Sequence, residues 1–287
     1  MSAIFQREFK SYFTGFTGYI FAAFLLLFEG VYIIIVNLLS GYASFEFTLE
    51  NIMVVFLLIV PIISMRSIAE EKHSKTDQLL FSLPIKTSSI VLGKYFALLA
   101  VLLIPTLIIG IYPLILNFFG NVNLLNAYAC LLAFYLLAAA LIAICMFTSS
   151  LTESQIVAAV LGFGALMILY LAPAISAIIP ATATASLICF AILIALVALI
   201  VYNMTKSWQI SAAAGVILAI PTLLVYFFKQ SLFEGLFPSV LSKLAIFESY
   251  MLFTYGIFDV TAIIYYLCII IFFVFLTVES LEKKRWC

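Results

Sequence analysis

Charge is what this chain has least of. Its 287 residues include only 13 Lys and Arg and 13 Asp and Glu, 9% of the total, and these sum to a net charge of zero. A soluble domain carries roughly 25% charged residues, so a water-facing fold of this length is excluded. No basic tract with interleaved aromatics is present, which argues against a nucleic-acid partner. There is a single histidine, His73, and its isolation removes several chemistries. A zinc protease of the HExxH kind needs at least two histidine ligands. A membrane serine protease needs a histidine within a span to activate its nucleophile. The adjacent Glu70 and Glu71 resemble the paired glutamates of prenyl-protein-type membrane proteases, but those enzymes also need histidines on later helices.

Five cysteines, Cys130, Cys145, Cys189, Cys268 and Cys287, are scattered without a CxxC pair, so neither a metal cluster nor a disulfide framework is expected. A nucleotide-cradling GxxxxGK[ST] loop is missing too. The nearest string, Leu92-Gly93-Lys94-Tyr95, lacks both the upstream glycine and the Ser or Thr that would hold Mg. The chain is expected to be no enzyme and to bind no cofactor or metal of its own.

What is abundant is apolar surface. Hydrophobic residues make up 67% of the chain, aromatics 16%, and mean hydropathy is +1.30. A helix needs about 20 apolar residues to cross about 30 Å of hydrocarbon. Eight segments qualify: 17–39, 49–66, 95–118, 125–149, 154–176, 184–203, 208–228 and 259–279. The second is short and holds Pro61, and the fifth and sixth are separated only by a Pro/Thr/Ala stretch, so six spans with a re-entrant pair is the other count. The fold class is an all-α polytopic membrane bundle, with residues 1–287 as one transmembrane domain. The first apolar run is longer than a signal h-region and reads as a retained span.

Basic residues fix the expected orientation. Eight spans with the N-terminus in the cytoplasm place Arg7, Lys10, Arg66, Lys72, Lys75, Lys86, Lys94, Lys206, Lys283, Lys284 and Arg285 inside, and only Lys229 and Lys243 outside. That asymmetry follows the positive-inside rule, so both termini are expected to be cytoplasmic, in a cell (inner) membrane.

Residues 1–16 precede the first span with Phe5, Phe9, Tyr12, Phe13 and Phe16 at spacings of three and four. This predicts an amphipathic helix lying in the lipid interface, with a chain turn near Gly15 and Gly18. Between the fourth and fifth spans, Thr152 and Gln155 have capping-box spacing and Glu153 suits the following helix N-terminus. Residues 229–258 form the longest extracytoplasmic connection and are expected to hold one or two short helices resting on the outer surface.

The polar island 66–94 contains Arg66, Glu70, Glu71, Lys72, His73, Lys75, Asp77, Lys86 and Lys94 between two spans. Glu70 and Glu71 precede a turn. Thr76 is placed to cap a short helix ending before Pro84, and Leu79, Leu80 and Leu83 give that helix an apolar stripe. Such a helix, held at a membrane surface, suits docking into a groove on a cytoplasmic partner; packing on the lipid interface is the other reading. His73 is read as a solvated loop histidine. Glu29 is the one carboxylate deep within a clear span, and either lines a pathway or fixes packing.

These residues resemble the ABC-2-type exporter permeases. Their coupling-helix segment runs as Glu-[Lys/Arg]-x-x-Gly-Thr-x-x-Leu-Leu followed by a proline. Glu71, Lys72, Thr76, Leu79, Leu80 and Pro84 match it, with Lys75 where Gly is usual. Arg7-Glu8-Phe9, Tyr12-Phe13 and Gly18-Tyr19 resemble the family's interfacial helix, with Phe16 where proline is frequent. Ser149-Ser150, Thr152, Ser154-Gln155 and Ala158 resemble its second cytoplasmic turn. The ending from Phe258-Asp259 to Trp286 is similar to the branch containing the gliding-motility permease subunits. The resemblance implies a separate cytoplasmic ABC ATPase that carries ATP and Mg, a second permease chain in a homodimer or heterodimer, and an extracytoplasmic accessory subunit. It also implies export, without defining the cargo. The alternative is a membrane-anchored scaffold or assembly factor without transport activity. A stand-alone secondary carrier would need paired intramembrane charges, which Glu29 alone does not provide.

Overall fold

The computed structural model describes residues 1–42, 44–76, 85–205, 208, 216–217, 219–220, 222, 226 and 233–286. Most of the described residues are helical, and there is no strand among them. In chain order the helices are α1 (Ser2–Thr14), α2 (Thr17–Tyr32), α3 (Phe45–His73), α4 (Thr87–Ile109), α5 (Tyr112–Asn117), α6 (Leu124–Leu151), α7 (Gln155–Ile178), α8 (Ala183–Thr205), α9 (Leu236–Lys243), α10 (Glu248–Thr254) and α11 (Val260–Trp286). Among the described residues, six helical stretches are long and apolar enough to cross a membrane: Thr17–Leu39, Phe45–His73, Thr87–Asn117, Leu124–Leu151, Gln155–Ile178 and Val260–Lys283. A bent pair, α9 with α10, makes a seventh candidate. The protein is a multi-pass membrane protein. Of the two remaining expected spans, 184–203 is helical as α8, and 208–228 lies largely outside the described residues.

The chain divides into two compact units, residues 1–168 with 246–287, and residues 169–245. In the first, α3 and α6 form the centre. Each has 72% of its apolar span buried, against 22% for Thr17–Leu39 and 17% for Val260–Lys283. The reason is in the side chains of α6, where Ala133, Ala138, Ala139, Ala140, Ala143 and Cys145 are all buried. Small residues let helix backbones approach closely, which is how helices gain contact in lipid, where burial against water gives no advantage. Phe56 and Phe134 fill the crossing with ring centroids 4.6 Å apart. Tyrosines then find spare helix carbonyls: Tyr95 donates to Ala139 O at 3.0 Å and Tyr135 to Leu99 O at 3.1 Å. Pro61 sits inside α3 without ending it.

α2 presents Gly18, Phe21, Leu25 and Glu29 to the interior, and its continuation Ile33–Leu39 widens into a π-helix that buries Ile33 and Asn37. A stripe spaced every four residues drifts around a 3.6-residue helix, and a wider turn keeps its last members facing inward. Asn37 anchors the end, donating to Tyr42 O (2.8 Å) and Ser44 O (3.0 Å) and accepting from Thr48 Oγ1 (2.7 Å).

In the second unit, Ser176 Oγ donates to Pro238 O at 3.0 Å, and Phe190 meets Phe237 edge-on at 5.2 Å. Gly235 enters α9 with φ of +68°, a conformation that glycine adopts without strain.

Candidate functional site

The first unit gathers its charge at one end, where α1 crosses the beginning of α4. The crossing is close because residue 93 has no side chain. A Cβ on Gly93 would lie 3.0 Å from Ile4 Cγ2 and 3.4 Å from Met1 O. Beside it, Lys94 is 98% removed from solvent and its ammonium is fully used. Nζ donates to Ser67 O at 2.7 Å and lies 2.9 Å from Glu71 Oε1 and 3.4 Å from Glu8 Oε1. Arg7 closes the square from the solvent side, 2.6 Å from the same Glu8 oxygen and 2.8 Å from the same Glu71 oxygen. A buried ammonium is tolerated only when its three protons find partners, and here they find three. The quartet ties α1, α3 and α4 together.

Charge and burial act together on two neighbours. Partial burial lowers the Arg7 guanidinium, but hydrogen bonds and charge from Glu8 and Glu71 outweigh it and hold it above its ordinary value. Burial pushes the Tyr12 phenol well above its usual range, reinforced by Glu8, so its hydroxyl stays neutral.

The expected turn after Glu71 falls three residues later. α3 runs through Glu70, Glu71, Lys72 and His73 before it ends, so much of the polar island is an extension of the second span. Its end is a Schellman motif: Thr76 N donates to Glu71 O at 3.0 Å and Lys75 N to Lys72 O at 3.2 Å. Lys75 occupies the left-handed position of that motif with φ of +57°, where the similar segments carry Gly. The Thr76 hydroxyl lies 3.0 Å from Ser74 Oγ, and the helix it is expected to cap lies outside the described residues. His73 is exposed in the last turn of α3 rather than in a loop. Glu70 clasps Arg66, with Nε to Oε2 at 2.7 Å and Nη2 to Oε1 at 3.0 Å. Leu79, Leu80, Leu83 and Pro84 lie outside the described residues.

The last turn of α6 reaches the same end of α3. Ser149 Oγ accepts from Ala69 N at 3.1 Å and donates to Met65 O at 3.0 Å. Lys72 Nζ donates to Ser150 O, and Ser150 Oγ meets Ser280 Oγ of α11 at 3.0 Å. Thr152 does not cap α7 in a box with Gln155. Its Oγ1 accepts from Ser154 N at 3.2 Å, while Ser154 O receives the first helical bond from Ala158 N at 2.9 Å. Gln155 is thus the first helical residue, too early to reach back.

The turn from α1 into α2 falls at Gly15 and Phe16, near the expected glycines, with Phe16 taking the positive φ of +59°. Glu29 is fully buried in the α2 stripe, and both its oxygens lack a hydrogen-bond partner among the described residues. Its burial removes it from any surface of this chain. Glu46, at the other end of the membrane-spanning part of α3, is a second buried carboxylate and accepts from Asn126 Nδ2 at 2.8 Å. Lys94, Lys72 and Glu46 had no local signal of these roles, because their partners are 23 to 86 residues away in the chain.

Fold and site together define a polytopic helical membrane protein whose charged segments are bonded into one end of the bundle. Residues 20–214 match the sequence model of the family described as ABC-2 family transporter protein. The chain belongs to that family and is a permease component of an ABC transporter. No curated protein and no solved structure matches it.

Proposed function

We propose that the chain is the membrane subunit of an ATP-driven exporter, moved by a separate ABC ATPase that binds ATP and Mg. The observation that supports this best is the Lys94 quartet. It joins α1, the end of α3 and the start of α4, the two helices that flank residues 77–84. A push on a segment braced at both ends is passed to α3, which is packed along its length on α6. Glu71 acts here through Lys94, Glu70 through Arg66, and Thr76 through the end of α3, while Leu79, Leu80, Leu83 and Pro84 would meet the ATPase. Thr152, Glu153 and Gln155 form the second turn on that same side.

The basic-residue asymmetry supports a location in the cell (inner) membrane with this end and both termini on the cytoplasmic side. Residues 1–16 are the interfacial helix, 66–94 the coupling segment and 229–258 the extracytoplasmic part. A second permease chain completes the pathway. Resemblance to the gliding-motility branch adds an extracytoplasmic accessory subunit.

The test is affinity purification in mild detergent with a Leu79→Asp/Leu80→Asp variant beside the wild type. A P-loop ATPase is expected to co-purify with the wild type and to be lost or uncoupled in the variant, because a charge placed in an apolar groove must be desolvated without a partner. Absence of any ATPase from both preparations would favour the scaffold reading.

A further inference from the structure

A cleft of about 330 Å³ opens between α2 and α3, beneath the end of α1. Its floor is Phe21, Ile59 and Ile63, each at most 5% exposed. Its lips are Ile20 and Phe24 on one side and Leu58 and Ile62 on the other, all between 43% and 64% exposed. All seven are apolar. Polar groups occur only at one end, where Arg66, Thr17 and Tyr12 line it. Measured along α3, Leu58 to Arg66 spans about 12 Å at 1.5 Å per residue. One leaflet of hydrocarbon is about 15 Å deep, half of a 30 Å core. With Arg66 at the level of the lipid headgroups, a cleft of this length would reach nearly to the bilayer midplane.

The polar end carries both signs of charge. Arg66 spends three of its five N–H groups, two on Glu70 and one on Thr17 Oγ1 at 3.0 Å. Two have no partner among the described residues and are placed to meet a phosphate. The Glu70 side chain is 42% exposed, so its carboxylate is open to an ammonium group. A simple anionic headgroup would meet that carboxylate as a like charge. We propose that this cleft binds one acyl chain of an amine-bearing zwitterionic phospholipid, with its phosphate on Arg66 and its ammonium on Glu70. The bound lipid fills the space where the interfacial helix, α2 and α3 meet, at the level of the charged end of the bundle. The site lies within the membrane part of this chain, so its test needs no ATPase.

Tryptophan fluorescence with bromine-labelled lipid reads the site directly. In a Trp208→Phe/Trp286→Phe background, Phe24→Trp places a probe on the lip, and Leu107→Trp places a control on an exposed face of α4. Purified protein in detergent is titrated with phosphatidylethanolamine brominated in its acyl chains. Phe24→Trp is expected to be quenched saturably at a few lipids per protein, and Leu107→Trp only in proportion to bulk lipid. A phosphatidylglycerol carrying the same chains is expected to bind Phe24→Trp several-fold more weakly, and Glu70→Gln should bring the two lipids to within about twofold. Free phosphate should not compete. Ile20→Trp, on the facing lip, gives the same reading if Phe24→Trp does not elute as folded protein. Equal, non-saturating quenching at lip and control would overturn the site, as would burial of the cleft against a second copy. Saturable binding with no headgroup preference for Glu70→Gln to change would overturn the Arg66–Glu70 assignment.

Discussion

Replacing Lys94 by methionine keeps the length and apolar stem of the side chain and removes only its charge and donors. The wild-type ammonium is at most 2% exposed and serves Ser67 O, Glu71 and Glu8. Removing one member of a buried ion pair usually costs about 3–5 kcal/mol, because the remaining charge stays buried without a partner. Here the penalty is smaller for a structural reason. Glu8 and Glu71 are 14% and 19% exposed, and both retain Arg7, itself 52% exposed. Lys94→Met is therefore expected to cost roughly 2–3 kcal/mol. Adding Glu71→Gln neutralises the carboxylate left behind, so the double variant should lose less than the sum of the single ones, by about 1–2 kcal/mol. Unfolding in detergent, followed by tryptophan or thiol accessibility for the wild type, both single variants and the double variant, gives the four values required. Limited proteolysis within α1 provides a second readout, since α1 is held by Glu8 and by Ile4 against Gly93. A loss under about 0.5 kcal/mol for Lys94→Met, or strict additivity with Glu71→Gln, would refute the quartet as the tie between these helices.

Lys75→Gly should stabilise the end of α3 by roughly 1 kcal/mol, since a β-carbon in the left-handed region costs about 1–2 kcal/mol; slower proteolysis between His73 and Pro84 is the measurement, and unchanged or faster cleavage would contradict it. Glu29 has no hydrogen-bond partner among the described residues, so Glu29→Gln and Glu29→Leu should both leave turnover per folded molecule unchanged, and Glu29→Leu should raise the thermal midpoint in detergent by removing a polar group from an apolar interior. A fall in turnover at constant folded yield would assign it a functional role instead. Single cysteines tested with a membrane-impermeant thiol reagent should react from outside at Ser239→Cys and not at Lys75→Cys, and external labelling at residue 75 would invert the orientation.

The fold class was written in composition alone. At 9% charge and 67% hydrophobic residues, only segments that satisfy their own backbone hydrogen bonds can cross lipid, and a helix does so locally. The aromatic spacing of residues 1–16 likewise predicts α1, because helical periodicity is a property of neighbours. At position 75, lysine stands where the resemblance to the family implies glycine, and the backbone there nonetheless adopts the left-handed conformation.

Pairing was not legible. Lys94 reads as one more basic residue at a membrane boundary until Glu8 and Glu71, far away in the chain, close around it. Ser149 and Ser150 read as turn residues until the end of α3 supplies their partners. Glu70 and Glu71 were expected before a turn, and one follows at residues 74–76; that Ala69 and Lys72 bond the last turn of α6 is something no local propensity encodes. The cap of α7 also moved by two residues, since Thr152 and Ser154 are both competent and only packing chose between them. Sequence alone determined what each segment is, through composition and periodicity that act within a few residues. The tertiary structure decided which charges meet, because a buried ammonium or carboxylate takes whichever partners the folded chain brings within about 3 Å.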